Sequence, residues 1–265
     1  MPLHVHSEDT DIYYETRGEG PPLILLHPFP TNRDFWNPIA PQLAARYRLI
    51  LPDLRGHGDS QPGTGPAIMQ KHVADLVRIM EAERIPRACF AGVSIGGYIS
   101  FEFWRRHRER IQGMILCDTR AQADTEEGRQ TRLKAADEVE RSGPDEYLEG
   151  MVPKLLGEST RRNRLDRVNE ARRMMTRMTR EGISAVLRGM AARPDSIPTL
   201  KTINVPVLVI VGKEDTLTPP ADAELMHREI RGSELAAVPT AGHYTPLEQP
   251  EAMVQLMRGF LGSTK

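Results

Sequence analysis

Apolar runs alternate with helix-length segments along most of this 265-residue chain. From residue 22 onward the runs are continuously apolar, as expected of strands that are buried on both faces of a parallel sheet. The two earlier runs are short, and we expect them to form an antiparallel edge. The predicted strands are His4–His6, Ile12–Thr16, Pro22–His27, Tyr47–Pro52, Ala88–Ser94, Gly113–Asp118, Val205–Val211 and Glu234–Val238. The alternation predicts an α/β protein with a doubly wound, mostly parallel sheet of these eight strands.

Helical patterns occupy the gaps between the predicted strands. Asp34 and Pro250 stand where an N-cap and a first-turn proline belong, so each is expected to begin a helix. The predicted helices of these gaps are Asp34–Ala45, Ala67–Ala82, Gly96–His107, Pro220–Ile230 and Pro250–Leu261.

The strand pattern is lost between Arg120 and Pro194, where arginine and glutamate are abundant. We name residues 120–194 the helical insertion and assign residues 1–119 and 195–265 to the core. Its predicted helices are Thr125–Ser142, Asp145–Leu156, Arg161–Arg180 and Ile183–Ala192. The arginines are interpreted as a solvated helix face rather than as an anion site.

Methionine is frequent at the apolar positions of the helical insertion, namely Met151, Met174, Met175, Met178 and Met190. Adaptable core packing is the preferred interpretation; in the alternative, some of these side chains line a pocket, where an unbranched thioether fits varied substrates. A pocket between the insertion and the sheet is expected to be mainly apolar. It would then favour uncharged acyl groups, because burying an unpaired charge is costly.

A serine stands at the junction between a predicted strand and a predicted helix, in the sequence Gly92-Val93-Ser94-Ile95-Gly96-Gly97. A turn at such a junction pushes the serine hydroxyl out above the sheet. The flanking glycines are needed because the turn leaves no room for side chains. The pattern Gly-x-Ser-x-Gly is common by chance, but it is far more specific between a strand and a helix. Ser94 is therefore the candidate nucleophile.

A serine nucleophile needs a base, and the base needs a group that orients it. His243 follows the last predicted strand on a loop with a flanking glycine, and it is the candidate base. For the acid we prefer Asp215 over Glu214, because its shorter side chain has less freedom to lose on a tight turn. Asp118 is a second candidate, although capping the first turn of the helical insertion is the favoured interpretation for it. The chain order serine, acid, histidine is that of α/β-hydrolases.

A developing oxyanion needs backbone donors. The N–H of Ile95, at the start of the helix after the serine, is one candidate. Phe29 is the other, because the flanking residues Pro28 and Pro30 have no N–H. The proline after Phe29 also favours an extended backbone there, which would hold its N–H in one direction. His27 is interpreted as a structural hydrogen-bonding residue that supports this loop.

Composition and charge exclude several classes of partner. The chain has 35 basic and 36 acidic residues, so nothing suggests a nucleic-acid or anionic-membrane partner. No apolar run approaches membrane-spanning length, and the first residues lack the pattern of a signal peptide, so a cytoplasmic enzyme is expected. Cys89 and Cys117 fall at opposite ends of neighbouring predicted strands, and both are expected to be reduced. The oligomeric state is left open.

These motifs together resemble the α/β-hydrolase fold superfamily, in its group of esterases, enol-lactonases and cofactor-free haloperoxidases or perhydrolases. The resemblance covers nearly the whole chain and is carried by His27–Pro30, Asp53–Ser60, Gly92–Gly97, Gly212–Asp215 and Gly242-His243.

The resemblance implies that the helical insertion is a cap, or lid, over the pocket. It also implies that the loop Asp53–Ser60 is structural, so no catalytic role is assigned to Asp53, Arg55 or His57. One departure is Pro28, where many relatives have glycine. Phe29 remains the expected donor, because it is the residue that follows.

The resulting expectation is a serine hydrolase that cleaves a small-molecule carboxylic ester or lactone through an acyl-enzyme on Ser94. No metal or cofactor is implied, because no His/Cys/Asp cluster has ligand spacing. A perhydrolase, a C–C bond hydrolase and a non-catalytic small-molecule receptor on the same fold are the alternatives. The serine argues against a haloalkane dehalogenase of the usual type, which uses an aspartate nucleophile.

Overall fold

A computed structural model describes residues 2–263 of the chain. Within these residues eight strands form one sheet, in the order β1-β2-β4-β3-β5-β6-β7-β8. The strands are β1 Leu3–Ser7, β2 Thr10–Arg17, β3 Pro22–Leu26, β4 Arg48–Pro52, β5 Ala88–Val93, β6 Ile111–Cys117, β7 Val207–Gly212 and β8 Glu234–Val238. All eight predicted strands are confirmed, with ends that differ by a few residues.

The sheet combines an antiparallel edge with a parallel body, as the hydrophobic pattern predicts. Strand β1 pairs with β2, and β2 with β4, in antiparallel register, whereas every pair from β4 to β8 is parallel. Leu23 to Leu26 of β3 are fully buried, because helices cover both faces of the sheet. The carboxyl ends of the parallel strands therefore meet at a single edge, where loops carry the candidate chemistry.

The helices of the core are α1 Ala40–Ala44, α2 Met69–Ala82, α3 Ile95–His107, α9 Ile197–Leu200, α10 Pro220–Glu229, α11 Thr245–Glu248 and α12 Pro250–Ser263. Pro250 begins α12, as predicted. The predicted helix Asp34–Ala45 is wrong as a single element, because a 3₁₀ turn over Arg33–Trp36 precedes α1. Asn32, not Asp34, caps that turn, and the prolines at positions 38 and 41 cannot donate the N–H groups of a continuous helix.

Residues 118–206 contain no strand in the described structure. The helices of the helical insertion are α4 Glu126–Ser142, α5 Asp145–Leu155, α6 Glu158–Asn163, α7 Leu165–Met175 and α8 Arg180–Ala191. The predicted helix Arg161–Arg180 is wrong, because the backbone leaves helical geometry at Arg164. A new helix begins after Thr179, whose side chain accepts the Gly182 N–H.

Cys89 and Cys117 are both free thiols, in agreement with the prediction. Among the described residues, no helix is long and apolar enough to cross a bilayer.

Candidate active site

Ser94 lies at the point where β5 ends and α3 begins, with a strained backbone. Its φ of 55° and ψ of −113° place it outside the regions that residues with side chains normally adopt, at a cost of about 1–3 kcal/mol. The Ser94 N–H donates to the Cys117 carbonyl at 3.1 Å, and the Thr119 hydroxyl donates to the Ser94 carbonyl at 2.7 Å. Bonds on both sides of the residue therefore hold the strained turn in place.

The glycines of this turn are required by close backbone contacts, as predicted. A Cβ atom at Gly92 would lie 2.4 Å from the backbone of Gly96. A Cβ atom at Gly96 would lie 2.6 Å from the carbonyl oxygen of Leu26 in β3. Neither contact can be relieved by moving a flexible side chain, so only glycine fits at these two positions.

His243 and Asp215 form a buried hydrogen-bonded pair, as predicted. His243 Nδ1 lies 2.8 Å from Asp215 Oδ2, and both side chains are almost completely buried. The other carboxylate oxygen accepts the N–H groups of Leu217 and Thr218 at 2.8 and 3.0 Å. The Thr218 hydroxyl donates to Asp215 Oδ2 at 2.5 Å and lies 3.2 Å from His243 Nδ1. The acid is thus held by three donors of its own loop in addition to the imidazole.

The charges of this pair stabilise each other. Burial by itself would raise the pKa of Asp215, but the facing imidazole and the hydrogen bonds of Thr218 outweigh it, so that pKa lies below 3.8. Burial by itself would lower the pKa of His243, but Asp215 outweighs it, so that pKa lies above 6.5. Asp118 contributes to the same rise. The pair therefore favours a charged carboxylate beside an imidazole that can accept a proton near neutral pH.

Asp118 does not cap the helical insertion, contrary to the favoured sequence interpretation, because Thr125 caps α4. The Asp118 carboxylate instead accepts the Gly212 N–H at 2.8 Å, the Thr245 hydroxyl at 3.1 Å and the Thr245 N–H at 3.2 Å. Burial, together with the nearby charge of Asp215, raises the pKa of Asp118 to about 7. Asp118 thus joins the loop after β7 to the loop that carries the histidine.

The loop Pro28-Phe29-Pro30 has an anchored carbonyl and an unused donor. The hydroxyl of Tyr244 donates to the Phe29 carbonyl at 3.2 Å. Within residues 2–263, no hydrogen bond uses the N–H of Phe29. The N–H of Ile95 is in the first turn of α3, where a helix leaves its donors unpaired. In the described residues, neither predicted oxyanion donor therefore has a hydrogen-bond partner, and Phe29 lines the cavity.

His27 has the structural role that the sequence predicts. Its Nε2 accepts the Leu54 N–H at 3.0 Å, so the proton is on Nδ1, which donates to the Pro28 carbonyl at 3.0 Å. Burial lowers the pKa of His27 to about 3, which keeps the ring neutral. Asp53 is also structural, since its carboxylate accepts the backbone N–H groups of Arg33 and Asp59, both at 2.8 Å.

Ser94 and His243 line the same cavity, which has a volume of about 460 Å³. Phe29 and Thr218 also line it, as do residues of the helical insertion. No hydrogen bond joins the Ser94 hydroxyl to His243 in the described residues; such contacts often tighten only when substrate binds. The predicted serine and histidine thus line one cavity, and the predicted acid contacts the histidine.

The cavity wall is mainly apolar, as predicted, but it also carries charged side chains. Its apolar part includes Leu155, Leu187 and Leu217, but its charged part consists of Arg120, Asp124, Glu127, Arg132 and Lys154. Of the five methionines, Met151 and Met190 line the cavity, so the alternative interpretation holds for these two. The other three are buried in the insertion's core. Core packing is therefore the correct interpretation for those three methionines.

The sequence did not predict the hydrogen bonds that join the helical insertion to the site loops. The carbonyl of Leu155 accepts the His243 N–H at 3.1 Å. The Glu248 carboxylate accepts the Gly157 N–H at 2.8 Å and the Gly242 N–H at 2.9 Å. The carboxylate of Glu214, the rejected acid, accepts the N–H of Ser159 at 2.8 Å. We name residues 155–159 the junction segment, because they join the insertion to both loops.

The comparisons with known proteins agree with this architecture. A family model described as the alpha/beta hydrolase fold matches residues 21–250. The chain therefore belongs to the α/β-hydrolase family, and the resemblance inferred from the motifs is confirmed.

Three similar proteins show the range of this family. A thermophilic esterase from Thermogutta terrifontis, solved with malate bound, is 37% identical with a TM-score of 0.96, over 100% of this chain and 99% of that one. The 3-oxoadipate enol-lactonase 1 of Acinetobacter baylyi is 25% identical over 92% of this chain and 89% of its own length. A bromoperoxidase from Bacillus anthracis is 18% identical with a TM-score of 0.86, over 98% of this chain and 100% of that one. At that identity the bromoperoxidase shows the fold alone.

Proposed function

We propose that this protein is a serine hydrolase that cleaves a carboxylic ester or lactone, with Ser94 as nucleophile, His243 as base and Asp215 as acid. The observation that carries the proposal is the 2.8 Å contact between Asp215 and His243, which lines the same cavity as Ser94 on its strained turn. The similarity to an esterase and to an enol-lactonase supports the same reaction class.

The proposed reaction gives each of these groups a role. His243 takes the proton of the Ser94 hydroxyl as its oxygen attacks the substrate carbonyl. The N–H groups of Phe29 and Ile95 stabilise the oxyanion. The imidazolium returns its proton to the leaving alkoxide, and an acyl-enzyme remains. Water, activated by the same imidazole, then releases the acid. Asp215 keeps the imidazole in the correct tautomer and stabilises its charged form.

In this proposal the helical insertion acts as a cap over the cavity. Support comes from its contribution to the wall of the cavity that Ser94 also lines. A cytoplasmic location completes the proposal, and the two free thiols are compatible with it.

Turnover of p-nitrophenyl acetate and butyrate by the purified protein tests the proposal directly. Release of p-nitrophenol with a burst equal to the enzyme concentration would demonstrate an acyl-enzyme. A receptor on the same fold would bind small molecules without turnover, and that outcome would refute the proposal.

The reaction should slow at acid pH, because only the neutral imidazole of His243 can accept a proton. Since Asp215 raises the pKa of His243 above its ordinary value, the activity should fall as pH decreases through a midpoint above that of a free imidazole. The measurement is kcat/KM for p-nitrophenyl butyrate as a function of pH. Asp118→Asn should move this midpoint to lower pH, because the charge of Asp118 helps to raise the pKa of His243. A midpoint that does not move would show that Asp118 has no electrostatic effect on the base.

A further inference from the structure

Two guanidinium groups share one carboxylate in the wall of the candidate active-site cavity. Asp124 Oδ2 accepts from Arg132 Nε at 2.7 Å, and Asp124 Oδ1 lies 2.8 Å from an Nη atom of Arg193. The side chain of Asp124 is only 10% exposed. Two cations and one anion leave this cluster with one net positive charge, and Asp124 and Arg132 line the cavity.

Arg193 is fully occupied by the protein. Its guanidinium lies 4.3 Å from the centre of the Tyr98 ring, and it donates to the carbonyls of Met190 and Gln122 at 3.2 and 3.1 Å. Its side chain is 3% exposed, and it does not line the cavity. Arg193 therefore neutralises the charge of Asp124 from a position outside the cavity wall.

Arg132 is left with free donors on the cavity side. Its Nε is used by Asp124, and one Nη atom lies 3.8 Å from the sulfur of Met190, which is a weak acceptor. In the described residues, no oxygen atom accepts from either Nη atom of Arg132. The side chain lines the cavity and is 27% exposed. A guanidinium with unpaired Nη donors can bind a carboxylate, because the two carboxylate oxygens match its planar pair of donors.

The other charges of the cavity do not supply this surplus. Arg120 is engaged by the Leu217 carbonyl and by Asp222, at 3.3 Å from its carboxylate. Lys154 and Glu127 are exposed residues of opposite charge. The net positive charge of the cavity wall is therefore that of the Arg132 guanidinium.

We propose, on the basis of the proposed hydrolase function, that Arg132 forms a carboxylate-binding subsite, so that the preferred substrate is an ester or lactone with a free carboxylate. Part of the wall near Arg132 is apolar or aromatic, through Tyr98, Tyr147 and Leu187. A substrate with a short apolar chain between its ester carbonyl and its carboxylate matches this combination. The subsite replaces the expectation that uncharged acyl groups are favoured.

Two pairs of substrates test the subsite by the position of the carboxylate. For the acyl part, monomethyl esters of dicarboxylic acids are compared with methyl esters of monocarboxylic acids of equal chain length. For the alcohol part, acetyl esters of hydroxy acids are compared with acetyl esters of simple alcohols. The measurement is kcat/KM, from release of methanol or acetate. In at least one pair the carboxylate should raise kcat/KM by about tenfold or more, the scale of one charge-assisted hydrogen bond.

Arg132→Gln should abolish this preference and bring the kcat/KM ratio close to one. Asp124 retains Arg193 as its partner in this variant, so no buried charge is left unpaired. Arg129→Gln is the matched control on the same helix: its side chain is 44% exposed, it pairs with Glu126, and it does not line the cavity. The control should keep the ratio of the unmodified protein.

Three results would overturn the subsite: no preference in either pair, a preference that survives Arg132→Gln, or an equal loss for charged and neutral esters. An equal loss of kcat/KM would mean that Arg132 only stabilises the packing of α4 against its neighbours. Binding of glutarate, followed by calorimetry in the unmodified protein and in Arg132→Gln, adds a readout without turnover. If no ester is hydrolysed at all but glutarate binding depends on Arg132, the proposed function fails and the subsite stands.

Discussion

Ser94→Ala is expected to lower kcat for p-nitrophenyl butyrate by about six orders of magnitude, the scale for removing a serine nucleophile of this type. Alanine removes the only hydroxyl placed on the strained turn between β5 and α3. The fold should survive, because the turn is held by backbone bonds to Cys117 and Thr119 that the substitution does not touch.

Ser100→Ala provides the matched control for that variant. Ser100 lies on the same helix, and its hydroxyl donates only to the Gly96 carbonyl one turn earlier, at 2.8 Å. This variant should keep its activity. Thermal unfolding of both variants, followed by circular dichroism, separates lost chemistry from lost structure. If folded Ser94→Ala kept more than a few per cent of the activity, another residue would be the nucleophile.

Asp215→Asn should have the second largest effect, a fall in kcat of about 10⁴-fold, by analogy with other serine, histidine and aspartate sites. The asparagine would occupy the same space, and the Leu217 and Thr218 N–H groups would still hold it. It could not stabilise the imidazolium of His243, and it would favour the wrong tautomer of the ring.

Asp118→Asn distinguishes the two candidate acids. Asp118 bonds to Gly212 and Thr245 but makes no hydrogen bond to His243, so its substitution should reduce kcat far less than Asp215→Asn. The comparison is made with p-nitrophenyl butyrate at the pH of maximal activity. A larger loss in Asp118→Asn would mean that Asp118 is the acid of the reaction.

The strands of this protein could be predicted from the sequence because strands buried on both faces leave a continuous apolar run. Interruptions of helices were harder to predict, because they depend on competing local bonds. Pro38 ends the first helical pattern early, and the backbone leaves helical geometry at Arg164 within a pattern that looks continuous. Neither event changes the periodicity of the apolar positions.

The proposed serine, acid and histidine could be selected from the sequence because each follows a recognisable strand. The contact of Thr218 with His243 and that of Tyr244 with Phe29 could not be predicted, because they join loops that meet only in the folded chain. The sequence alone assigns Arg132, with the other arginines of the insertion, to a solvated helix face. Its partner Arg193 lies 61 positions along the chain from it, as the numbering shows, and nothing in the helical pattern connects the two.

The junction segment limits how this enzyme could be redesigned by recombination. A grafted insertion from a relative would have to supply a carbonyl for the His243 N–H, a donor for Glu248 and a donor for Glu214. A graft that cut through residues 155–159 would disturb the base and the loop of the acid, whatever pocket it introduced. Chimeras that retain the junction segment and exchange only α4 and α8 would change the cavity wall while leaving the contacts of His243 and of the Asp215 loop intact. The segments that shape the cavity and the segment that contacts the site loops are therefore both inside the insertion, and a graft has to separate them there rather than at its ends.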